Sequence, residues 1–183
     1  TLMSYVPNTP VEISGTTQYV CEGCIGTNSV PTSGITTNTG AFVLTTNSSI
    51  TWLWSTNLWI GAIAKPTVGG VVTGGNQWVS FLEDVTVEAF TGTYYDFSGW
   101  AGEVGAADTN AVQLTVTMDR SRLLGACFSP QLASNEVPFW WLALYYNPTN
   151  DFDELALSDT DSDLMAAWQE YIADTDPTDP FAN

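Results

Sequence analysis

Two stretches of the chain repeat one another. Thr17-Gln18-Tyr19-Val20-Cys21-Glu22-Gly23-Cys24-Ile25-Gly26 lines up with Thr93-Tyr94-Tyr95-Asp96-Phe97-Ser98-Gly99-Trp100-Ala101-Gly102. Further on, Val43-Leu44-Thr45-Thr46-Asn47-Ser48-Ser49 lines up with Thr115-Val116-Thr117-Met118-Asp119-Arg120-Ser121. Each copy then closes on an aromatic run, Ile50–Trp54 and Leu123–Phe128. Internal duplication confines the body to two small units of one architecture. Alternation puts Tyr95 and Phe97 on one face, as a half-buried strand requires. The polar triplets Asn47-Ser48-Ser49 and Asp119-Arg120-Ser121 predict tight hairpin connections.

Charge divides the chain a second way. Twenty acidic residues face three basic ones, Lys65, Arg120 and Arg122, for a net charge of −17. Ten of the acidic residues lie between Asp151 and Asp179. So few cations exclude a phosphate-backbone binder, and the absence of His excludes His-based triads and His-ligated zinc. With 44% hydrophobic and 13% aromatic residues, the chain can still build cores. No apolar run approaches the roughly 20 residues that span a bilayer. An acidic, Thr-rich chain with one Lys suits a secreted or cell-surface protein in a salty or calcium-containing medium. The expected division is 1–64, a first β repeat incomplete at its N-terminus; 65–128, a second β repeat; and 129–183, a helical acidic calcium-binding tail.

The second copy has a leading segment, Val68–Asp84, ahead of the strand Val85–Phe90, whereas the first starts at Thr1 within the counterpart of that strand. A sheet lacking a strand exposes an unpaired edge. Two explanations stand side by side: a fragment of a longer protein, or a subunit completed by a neighbour's strand in a filament.

The pattern of Tyr94–Gly102 with Leu114–Phe128 resembles divergent internalin-type B repeats, found in tandem in large bacterial surface proteins. The likeness covers about residues 11–128, and the first copy departs from it where Cys24 replaces Trp. It implies a surface or secreted structural and adhesive role without an active site.

The tail carries the strongest chemical signal. Asp159, Asp161, Asp163 and Glu170 stand at positions 1, 3, 5 and 12 of an EF-hand-length window, where short carboxylates wrap a hard cation and the final Glu grips it with two oxygens. Met165 at position 7 would offer its carbonyl, and a water would fill the place of Ala167 at position 9. Position 6 normally needs Gly and is Leu164; a left-handed conformation there costs about 1 kcal/mol, which weakens affinity or distorts the loop. The competing reading is an acidic solvated loop capping the next helix. Asp151–Leu157 and Ala166–Ala173 are the flanking helices, with Trp168, Tyr171 and Ile172 packing inward. Asp174 and Asp176, before Pro177, either complete a second calcium site or form a rigid acidic exit. Val137–Tyr146 reads as another short helix with Pro138 near its first turn, its aromatic residues joining tail to body rather than forming a sugar platform.

The run from Val137 to Pro180 resembles a C-terminal module of surface proteins from Verrucomicrobia–Lentisphaerae–Kiritimatiellae bacteria, a thrombospondin type 3-like or dockerin-like calcium repeat. That resemblance implies calcium-dependent folding of the tail.

Cys21-Glu22-Gly23-Cys24 has redox or half-zinc-site spacing, but no second pair exists and the cysteines align with Phe97 and Trp100. Core packing or an incidental disulfide is the expectation. The expected architecture is mainly β: two tandem small β-sheet (sandwich-like) modules, with a β-grasp-like sheet as second choice, plus a short helical EF-hand-like C-terminal tail. The expected function is a non-enzymatic extracellular structural or adhesive protein, a subunit of a cell-surface fibre braced by Ca2+. Its partners would be copies of itself in a head-to-tail polymer. The alternative is a glycan-binding module using exposed aromatic side chains such as Trp78 or Trp140.

Overall fold

The computed structural model describes residues 1–31, 34, 37–147 and 151–182. The architecture is mainly β, and among the described residues the α-helices lie in the C-terminal tail.

Strands β1 (Val11–Ile13) and β2 (Thr17–Gly26) lead into β3 (Ile50–Lys65), the longest element of the molecule. The first half of β3, rich in Trp, Leu and β-branched residues, pairs antiparallel with β2 from Ile50 to Leu58. Its second half pairs in parallel with β9 (Arg122–Pro130) from Ile60 to Lys65. A third partner, β5 (Gln77–Ser80), bonds Asn57–Ile60. Because β5 shares Asn57 and Leu58 with β2, and Ile60 with β9, it lies on the opposite edge from both. Strands β2 and β9 therefore sit end to end along one edge of β3. The expected boundary after residue 64 falls at the end of this single strand, which serves both units.

The repeat is visible in the backbone. In β2 the register with β3 shifts between Cys21 and Gly23; in β7 (Tyr95–Gly102) the register with β9 shifts between Phe97 and Gly99. Gly23 and Gly99 have φ of 130° and 132°, values that glycine adopts without the penalty a Cβ would bring.

The second unit packs two sheets face to face. Strands β4 (Gly70–Thr73), β6 (Asp84–Thr91) and β8 (Gln113–Thr117) form a three-stranded sheet in the order β4-β6-β8. Alternation along β6 and β8 turns Val87, Ala89, Leu114 and Val116 inward onto Ile60, Ala62, Trp100, Leu124, Ala126 and Phe128 of the larger sheet. The Asp119-Arg120-Ser121 turn is not the hairpin its chemistry suggests. It carries the chain from β8 in one sheet to β9 in the other. Arg122 fixes this crossover: its buried guanidinium donates to Thr117 O (3.1 Å), Glu103 O (2.6 Å) and Asp119 Oδ1 (2.7 Å). Turn residues announce a change of direction without saying which sheet receives the next strand.

The first unit is thinner. Besides β1–β3, the described residues ahead of β3 form only the isolated bridges Leu2↔Phe42, Tyr5↔Asn38 and Cys24↔Gly34, in place of a second sheet. Asn47-Ser48-Ser49 accordingly enters β3 from an irregular segment and makes no hairpin either.

Beyond Pro130 the tail takes over the end of β9. Gln131 N–H donates to Tyr94 O (2.8 Å), and its carbonyl accepts from Phe139 N–H (2.9 Å). Ala133 N–H donates to Val137 O (2.8 Å). An extended residue directs both groups to one edge, so Val137–Phe139 continues the edge that β7 occupies further up. On β3 the corresponding place, beyond β2, belongs to β9. Helices α1 (Phe139–Tyr145), α2 (Phe152–Leu157) and α3 (Ala167–Ala173) then build a separate small core on Val137, Trp141, Leu142, Phe152, Ala156 and Ala167. Pro138 stands at the N-cap of α1, where its missing N–H costs nothing. Trp168 and Tyr171 pack against this core as expected, but Ile172 is 71% exposed. A two-turn helix buries one narrow stripe, and Ile172 falls outside it.

Candidate metal centre

Asp151 caps α2, its Oδ1 accepting from Asp153 N–H at 2.9 Å. The chain leaves α2 at Ser158, loops through Asp159–Ala166 and returns to α3, closed by Ala167 N–H donating to Ser158 O (2.9 Å). Inside the loop each aspartate folds the backbone around itself. Asp159 accepts from Ser162 N–H (2.7 Å) and Leu164 N–H (3.1 Å), Asp161 Oδ1 from Asp163 N–H (3.3 Å), and Asp163 Oδ1 from Met165 N–H (2.7 Å). One carboxylate oxygen from each of Asp159, Asp161 and Asp163 lies within 4.8 Å of the others.

Those turns leave a second set of oxygens. Asp161 Oδ2, Asp163 Oδ2 and both oxygens of Glu170 are buried without a hydrogen-bond donor among the described residues. Glu170 is only 1% exposed. Burial pushes its carboxyl up to about 7 from an ordinary 4.5, and the charges of Asp161, Asp163, Asp176 and Asp159 push the same way. A buried carboxylate without a donor or counter-charge costs several kcal/mol. The protein supplies no such charge here. Arg122 and Arg120 are committed to Asp119 in the β8–β9 crossover, and the side chain of Lys65 lies beside Gly125. A proton or an external cation must neutralise the cluster, and an all-oxygen acceptor set suits a hard ion such as Ca2+.

The other predicted positions spread around this cluster. Met165 stands in the loop with its N–H on Asp163. Leu164 is 90% exposed with φ of 83°, so the chain turns left-handed where glycine would be expected. Asp176 lies close enough to act on Glu170, while its Oδ1 accepts from Thr178 N–H (3.0 Å) and Oγ1 (2.7 Å). Asp174 is exposed, in a left-handed conformation that ends α3, outside the three-aspartate group. Sequence reasoning overlooked Tyr146. Its hydroxyl donates to Pro177 O (3.3 Å) and accepts from Thr160 Oγ1 (3.3 Å). Burial raises its pKa, the Thr160 hydrogen bond lowers it, and the charges of Glu170, Asp161 and Asp176 raise it further. The phenol ties the exit segment to the loop, and only its place at the end of an aromatic helix hinted at a role.

Away from this centre, Cys21 and Cys24 are free and buried, at the positions taken in the second unit by Phe97 and Trp100. No helix among the described residues is long and apolar enough to cross a membrane.

The chain matches no curated protein and no solved structure. Residues 61–132 match the family model of the divergent InlB B-repeat domain, a span that opens in the second half of β3 and closes just beyond β9.

Proposed function

We propose that this chain is a non-enzymatic structural or adhesive segment of an extracellular bacterial surface protein, in which Ca2+ bound by the tail locks the end of a B-type repeat. The match over residues 61–132 supports the surface-repeat part. The calcium part rests on one observation: Glu170, almost wholly buried, has two carboxylate oxygens without a donor beside the equally unpaired Asp161 Oδ2 and Asp163 Oδ2. Asp159, Asp161, Asp163 and Glu170 would supply carboxylate ligands and Met165 its carbonyl. Asp176 would add charge from the exit segment. Extracellular modules of this kind work at roughly 0.1–1 mM affinity, which suits a permanent brace rather than a signal.

Calorimetric melting in EDTA and then in excess Ca2+ tests the reading. At a free ion concentration about 100 times Kd, one site adds about 2.7 kcal/mol. The Glu170→Gln variant should lose that gain while melting higher than the parent in EDTA, because a neutral amide relieves the crowding of like charges. An identical melting curve with and without Ca2+ would remove the brace.

A further inference from the structure

The matching bulges place the two units in one frame. Ile50, Trp52 and Trp54 stand opposite Gly26, Cys24 and Cys21 as Leu124, Ala126 and Phe128 stand opposite Gly102, Trp100 and Phe97. The first half of β3 is thus the counterpart of β9. On β9 the edge away from β7 is filled by Ile60–Lys65 in parallel, with Ala62 opposite Leu124 and Ala64 opposite Ala126.

The same edge of β3 is open. Ser49 O accepts from Thr27 on the β2 side, whereas Thr56 O accepts from Phe81 on the other. Alternation then directs the N–H and C=O of Ile50, Trp52 and Trp54 away from β2. Among the described residues no backbone group meets them there. The side chains are less covered as well. Leu124, Ala126 and Phe128 are at most 5% exposed, whereas Ile50 and Trp52 are half-buried and Trp54 is 45% exposed. The chain's first residues do not fill the gap, since Leu2, Ser4 and Val6 bond to Phe42, Thr39 and Thr37.

We propose that the outer edge of β3 from Ile50 to Trp54 accepts a parallel strand from a neighbouring B-type repeat unit, as β9 accepts the second half of β3. The donor has the character of Ile60–Lys65, small residues interleaved with β-branched ones, and its counterparts of Ala62 and Ala64 sit opposite Ile50 and Trp52. Backbone bonds supply the affinity, and the alternate side chains packed beside Ile50 and Trp52 the selectivity. This deepens the surface-repeat reading and is independent of the calcium site.

The test uses the full chain in Ca2+ and a fluorescent peptide with the sequence of Leu58–Lys65. Saturable binding is expected, with a scrambled peptide binding about tenfold more weakly or worse. Trp52→Pro removes an N–H that faces the open edge and leaves the β2 ladder intact; it should stay folded, melting lower for the loss of the half-buried indole, and lose the peptide. Should that variant unfold, the wild-type protein still decides. A photo-crosslinker at the peptide's Ala62 position should label β3 around Ile50. Labelling at the Trp54 end, equal binding of the scrambled peptide, or no binding at all would overturn the proposal. Loss of the calcium response with intact peptide binding would count against the brace alone.

Discussion

The ring of Tyr94, in the turn before β7, stands edge-on to the ring of Phe152 in α2, their centroids 5.6 Å apart at 84°. Phe139 completes the cluster, 4.8 Å from Phe152 and 6.4 Å from Tyr94. One residue of the repeat is thus built into the core of the tail, a path by which the ion proposed at Glu170 would act on the β body. Edge-to-face pairs of this kind contribute about 0.5–1.5 kcal/mol beyond their burial.

Tyr94→Ala should therefore destabilise the tail by about 3 kcal/mol, the ring's burial and its aromatic contacts being lost together. Urea unfolding followed by Trp fluorescence should show the tail separating from the repeat as an earlier transition. A single unchanged transition would mean that the two cores are not coupled through this ring.

Glu170 sets the pH response of the metal-free protein. Its carboxyl is pushed up to about 7 in the folded tail from 4.5, so the folded state holds the proton more tightly than the unfolded one. The stabilisation is complete below pH 4.5 and is lost as pH rises through about 7. In EDTA the melting temperature of the tail should fall across that window. Saturating Ca2+ should flatten or reverse the slope, because the ion prefers the deprotonated carboxylate. A melting temperature that climbs with pH in EDTA would contradict this account of Glu170.

Leu164, at φ of 83° and 90% exposed, holds a backbone position that favours glycine. Leu164→Gly should relieve about 1 kcal/mol of strain that the ion-free loop already carries, and stabilise the tail by a similar amount in EDTA and in Ca2+. Urea unfolding under both conditions reads the change. A lowered midpoint would place the strain elsewhere.

Gly99 offers the parallel test in the repeat. Its φ is 132°, and a Cβ there would meet Thr109 O at 3.2 Å. Gly99→Ala should cost about 1–3 kcal/mol in urea unfolding. An unchanged midpoint would show that the bulge reshapes without penalty.

Much of this was legible in the residues. The Gly23/Gly99 correspondence, the strand character of β2 and β7, Pro138 ahead of α1 and the Asp159–Glu170 spacing are local signals, and local chemistry decides them. The failures share a different cause. Val68–Asp84 reads as one leading segment but divides between two sheets, with β4 pairing β6 and β5 pairing β3. The Asp119 turn changes layers, and Ile172 faces water. Each depends on which distant surface a segment meets, and no short window carries that information. For the same reason β3 reads as the end of one unit, because its parallel partner lies more than fifty residues away.

The sharing of β3 has a mechanical corollary. At about 3.3 Å per residue, its 16 residues form a beam of roughly 53 Å that crosses the junction without a joint. Twisting one unit against the other would have to shear the ladders on either side of that beam, so the pair turns as one lever. A stalk assembled on this plan would transmit tension along its own backbone and would owe its reach to stiffness rather than to slack.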